Sequence, residues 1–95
     1  MEFEWDENKN QINQKKHGVS FEEAMTVFYD EGALLEYDEN HSADEDRFRI
    51  LGCSSKGNIL LVAHCVRHES VIRIISSRKA TAAEKAGYER SLGYE

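Results

Sequence analysis

The sequence predicts an α+β fold built from an antiparallel sheet with helices packed on one face. Three observations predict it. Two helix starts with side-chain caps occupy the first third of the chain. Alternating apolar and polar runs, separated by short turns, fill the stretch from Ala33 to Ser77. A last capping pattern, Thr81 with Glu84, opens a closing helix. Helices segregated from strands along a chain belong to α+β folds, and strands joined by short turns pair antiparallel.

The elements follow in the order β-α-α-β-β-β-β-α. Phe3 and Trp5 alternate with Glu2 and Glu4 as a short strand. Asp6 caps a helix from Glu7 to about His17, and Gly18 suits its left-handed C-terminal position. That helix has one strong apolar residue, Ile12, so its neighbours must dock it. Ser20 and Glu23 form a capping box for a second helix, in which Phe21, Ala24, Met25 and Phe28 share a face. Ala33–Tyr37 reads as a strand and 38–46 as a charged loop. Arg47–Cys53 alternates clearly, Lys56-Gly57-Asn58 reads as a hairpin turn, and Ile59–Val66 is the most apolar and central strand. A turn at His68–Ser70 leads to the strand Val71–Ser77, and the last helix runs to about Ser91.

Ninety-five residues allow one small domain, here 1–95. The 40% hydrophobic and 32% charged fractions fit a globular chain, and no apolar run is long enough for a bilayer. No signal-peptide pattern opens the sequence, so a cytoplasmic location is expected. Cys53 and Cys65 do not make a disulfide framework and suit packing better than nucleophilic chemistry. No Cys/His spacing suggests zinc, and no glycine loop suits a nucleotide, so no metal and no cofactor are expected.

The charge of −6 is unevenly spread. Residues 1–46 hold 14 acidic and three basic side chains, whereas 47–95 hold nine basic and four acidic ones. The total argues against nonspecific nucleic-acid binding but leaves room for a local cationic site. With Phe48, Ile50, Ile72 and Ile74 turned toward the helices, strand alternation puts Arg47, Arg49, Arg73 and Ser77 on the opposite face. Arg78 and Lys79 follow at the strand end, beside a helix N-terminus, where phosphate oxygens are well received. The competing reading pairs these arginines with the acidic loop 38–46. His64, in the central strand, is either an acid–base group or a hydrogen-bonded core histidine. His17 suits a capping role, and His41 and His68 fall in loops.

The ordered blocks Phe3-Glu4-Trp5-Asp6, Lys16-His17-Gly18-Val19-Ser20-Phe21, Asp46-Arg47-Phe48, Leu60-Leu61-Val62 and Ile72-Arg73-Ile74-Ile75-Ser76-Ser77-Arg78-Lys79-Ala80-Thr81 resemble those of the BrnT toxin family. Lys9, Asn13, Ala24, Leu51-Gly52, Glu84 and Tyr88 extend the resemblance across the chain. Two positions depart from the family pattern: His64-Cys65, where a polar or aromatic pair is usual, and Ser77, where alanine is usual.

The resemblance implies a RelE-like fold and a type II toxin–antitoxin toxin. It implies a metal-independent ribonuclease that depresses translation and is neutralised by a BrnA-like antitoxin, operator DNA being reached only through that antitoxin. The family's basic positions fall on Arg47, Arg73 and Arg78, with Lys16-His17 in the helix-turn block. The expected catalytic set is therefore Arg73 and Arg78 against developing charge, Arg47 on the phosphate and His64 moving a proton, with His17 as a weaker candidate for that step. Arg49, Arg67, Lys79, Lys16 and His17 are the expected substrate-binding residues. The alternative is a noncatalytic interaction module working through antitoxin binding and operon control.

Overall fold

The computed structural model describes residues 1–93, so the last two residues of the expected domain lie outside them. β1 (Glu2–Glu4) leads into α1 (Glu7–His17) and α2 (Phe21–Thr26), which ends in a 3-10 turn at Val27–Tyr29. β2 (Leu34–Tyr37), β3 (Arg47–Cys53), β4 (Ile59–Arg67) and β5 (Val71–Lys79) follow, and then α3 (Ala82–Ser91). One five-stranded sheet results, in the order β1-β5-β4-β3-β2. The antiparallel expectation holds from β2 to β5. The sheet as a whole is mixed, because β1 pairs parallel with β5, Phe3 opposite Ile72. No hairpin joins those two strands, so nothing in their connection demands the antiparallel sense. Among the described residues no helix is long and apolar enough to cross a membrane.

The core lies between the sheet and α1–α2. Val19, Phe21, Ala24 and Val27 meet Ile50, Leu60, Val62 and Ile74, with Phe3, Trp5 and Phe28 at the margin. Gly52 belongs to this face for want of space. A Cβ there would lie 2.9 Å from the Ala33 side chain and 3.0 Å from those of Asp30 and Val27.

α1 starts and stops as its caps require. Asp6 Oδ1 accepts from the Asn8 and Lys9 amides, and Gly18 sits at φ 70°. Its docking is polar: Ile12 is 62% exposed, whereas Asn10 and Asn13 are buried. Asn10 Oδ1 accepts from the Phe21 amide at 2.9 Å. Asn13 Nδ2 donates to the Val19 and Ser77 carbonyls, both at 2.8 Å, while its Oδ1 accepts from the Ser77 amide at 3.1 Å. β1 pairs only with residues 71–73, so this amide satisfies the backbone of β5 where β1 no longer covers it.

The Ser20–Glu23 box closes on one side only. Ser20 Oγ accepts from the Glu23 amide at 3.0 Å, but the Glu23 carboxylate turns to Ser54 Oγ (2.6 Å) and Asn58 Nδ2 (2.8 Å) and ties the β3–β4 hairpin to α2. Burial opposes its charge, yet these hydrogen bonds together with the nearby charges of Lys56 and Lys79 outweigh burial and hold its pKa below the ordinary value.

A bulge decides which side chains of β5 share a face. His64 pairs with Ile74 and Ala63 with Ser76, leaving Ile75 as the extra residue. Ile74 and Ser77 therefore both point to the core, and Ser77 is buried. This corrects the expectation that Ser77 joins Arg73. Arg78 takes that place instead. The third helix also departs from the first two: its Glu84 shares a groove with Arg49, Leu51 and Leu61, on the face away from α1 and α2. Tyr88 anchors it, donating to Asp30 Oδ2 at 2.5 Å.

Candidate functional site

Strand register lays out the face opposite α1 and α2 in three rows. Glu4, Arg73, Cys65 and Arg47 form the first, from β1 across to β3. Ser76, Ala63, Arg49 and Glu36 form the second, and Arg78, Leu61, Leu51 and Leu34 the third. Cys65 is only 1% exposed although it belongs to this face, so its neighbours cover it. Four arginines from β3 and β5 thus share one surface in a protein that is acidic overall.

Most of that positive charge is already answered. Arg73 donates to Glu4 Oε2 at 2.5 Å, and Arg49 to Glu36. Arg78 grips Glu84 with both arms of its guanidinium, at 2.7 and 3.0 Å. Through that fork the Glu84 carboxyl is pushed down to about 2 and the Arg78 pKa is raised. Arg67, exposed at the end of β4, reaches Glu45 at 3.4 Å; its pKa is raised by a hydrogen bond with Cys65 and then by Glu45. Among the described residues, ion pairing with the loop 38–46 thus describes Arg67 alone of the arginines, since the other partners come from β1, β2 and α3. Arg47 differs. Among the described residues it forms no ion pair, and it lines a hollow with His41, Asp44 and Glu45.

The structure brings Arg47, Arg49, Arg73 and Arg78 together and leaves other expected site residues apart. His64 lies on the core face, edge-on to Phe28 with centroids 4.8 Å apart and stacked with Phe48 at 5.9 Å. Its Nδ1 is 3.3 Å from the Val62 carbonyl oxygen. Burial lowers its pKa and outweighs that hydrogen bond, which favours the charged form. The sheet itself separates His64 from the arginines, so the structure does not bring the expected catalytic set together on one face. Lys16 and His17 end α1, the helix docked on the core side. Lys79 pairs with Leu60, one step out of phase with Arg78, and lines a separate hollow with Asn58 and Lys85.

Sequence reasoning missed the three carboxylates that hold the arginines. Glu84 was legible only as a capping residue, a role it also fills by accepting from the Thr81 amide at 2.8 Å. Glu4 lies 69 positions from Arg73, and only the parallel pairing of β1 brings them together.

Comparison with known proteins gives the following. The family described as "Ribonuclease toxin, BrnT, of type II toxin-antitoxin system" matches residues 5–84. A crystal structure of the Brucella abortus ribonuclease toxin BrnT superposes with a TM-score of 0.67 at 26% identity, covering 85% of this chain and 97% of that one. No curated protein sequence matches.

Proposed function

The chain belongs to the BrnT family of ribonuclease toxins of type II toxin–antitoxin systems, and from that premise we propose that it cuts RNA on the arginine-bearing face of its sheet. The observation that carries this reading is the first row, where Arg73 and Arg47 flank Cys65 on one surface. A phosphate seated across that row meets two guanidinium forks. RNA supplies its own nucleophile: the 2′-oxygen bonds to the adjacent phosphorus, the bond to the 5′-oxygen breaks, and a cyclic phosphate forms. Cations fixed in advance against the charge that builds on the phosphoryl oxygens lower the barrier, and the 2′-oxygen takes the place of a metal-activated water as nucleophile. Glu4, paired with Arg73, is the carboxylate of that row and takes the 2′-hydroxyl proton in this scheme; water returns a proton to the departing 5′-oxygen. Arg78 acts from the neighbouring row. His64, behind the sheet, takes no part.

The same reading makes the protein a brake on translation in the cytoplasm, silenced by a BrnA-like antitoxin. One observation favours a second reading, the noncatalytic interaction module: Arg73, Arg49 and Arg78 are engaged by carboxylates of their own chain. Induced expression in a bacterial host separates the two. Growth arrest with loss of RNA in the wild type, and neither in Arg73→Ala, supports the ribonuclease. Healthy growth with intact RNA from soluble, folded wild type supports the interaction module.

A further inference from the structure

The two edges of the sheet are finished differently. At one edge β1 is three residues long, and Asn13 satisfies the β5 backbone beyond it. At the other edge β2 pairs with β3 alone, and all four of its residues are exposed. Soluble proteins guard such an edge with lysine, proline or a bulge, because its free N–H and C=O groups accept a further strand. Here the edge reads Leu34-Leu35-Glu36-Tyr37, and Glu36 is drawn inward by Arg49. Leu34, Leu35 and Tyr37 are 41%, 63% and 46% exposed.

The charge around this edge selects what covers it. Residues 30–46 hold eight carboxylates and no lysine or arginine. An RNA backbone is repelled there. A second copy would bring the same acidic stretch against itself. A cationic polypeptide is attracted.

We propose that the outer edge of β2 receives an extended segment of the antitoxin, in which basic side chains alternate with apolar ones, as a sixth strand of the sheet. This rests on the reading of the chain as a toxin with an antitoxin partner. Main-chain hydrogen bonds hold the segment, Leu35 and Tyr37 receive its apolar side chains, and the exposed carboxylates Glu39, Asp44 and Asp46 receive its basic ones. The added strand lies next to the row that ends in Glu36, at the border of the arginine-bearing face.

Backbone hydrogen exchange of the whole chain, alone and with the antitoxin encoded in its own operon, tests this. The expected result is exchange slowed tenfold or more across residues 34–37 in the complex. Binding should weaken at least tenfold in Leu35→Lys/Tyr37→Lys and as salt is raised, with RNA cleavage by the free variant unchanged. Antitoxin binding that leaves residues 34–37 unprotected overturns the docking site and spares the partner. No binding by folded protein overturns both. Protection of residues 34–37 in the free protein, together with a dimeric mass in sedimentation, overturns the proposal in favour of a second copy.

Discussion

Glu84 serves two ends at once, capping α3 and gripping Arg78, and the two can be separated. Glutamine keeps the capping geometry and removes the charge. Arg78 and Glu84 are 39% and 29% exposed at the side chain, so solvent screening limits the pair. Glu84→Gln should cost about 0.5–1 kcal/mol at neutral pH, measured by urea denaturation. The Glu84 pKa falls from 4.5 in the unfolded chain to about 2 when folded, so its contribution is complete above 4.5. Wild type and variant should therefore converge as pH falls from 4.5 through about 2. His64 shows the opposite charge type with the same direction in pH. Its folded pKa lies below 6.5, so the unfolded chain binds the extra proton and stability declines as pH drops through 6.5. In His64→Phe, equilibrium unfolding followed against pH should lose that component of the decline. Neither environment was open to sequence reasoning, which gave His64 two readings and the helix cap one.

Elements were legible where local chemistry decides them and obscure where distant backbone does. Asp6, Gly18 and the Thr81–Glu84 box fix helix ends through neighbours within four residues, and each stands where the sequence placed it. α1 was the exception, since its docking face is made of asparagines and not of Ile12. A buried amide looks like any surface amide until its partners, 6 and 64 positions away, are known. Asn13→Ala should cost about 2–3 kcal/mol in chemical denaturation, because three backbone groups lose their partner together. The bulge at Ile75 was invisible for a related reason: nothing in Ile74-Ile75-Ser76 marks the extra residue. The β4–β5 turn hides a further cost. His68 and Glu69 both hold positive φ, 52° and 68°, without glycine. Glu69→Gly should stabilise the hairpin by about 0.5–1 kcal/mol, read as a raised melting temperature.

At the scale of the whole molecule, the meander and the facing of Arg47, Arg49 and Arg73 were readable from alternation, whereas the exchange of Ser77 for Arg78 on that face was not. The rows depend on register, on the bulge and on the parallel entry of β1, all of which are set across the sheet. Together they turn an acidic chain into one with a local cationic surface whose charge is partly held in reserve by Glu4, Glu36 and Glu84. Family membership supplies the ribonuclease reading, and the first row supplies its proposed site. The most direct measurement is cleavage of a defined single-stranded RNA by purified protein with chelator present, comparing wild type, Arg47→Ala, Arg73→Ala and His64→Phe, each checked for folding by circular dichroism. The account predicts a cyclic-phosphate product, losses of roughly 100-fold or more in the two arginine variants, and activity kept in His64→Phe. Full cleavage by both arginine variants, or its abolition in folded His64→Phe, would contradict it.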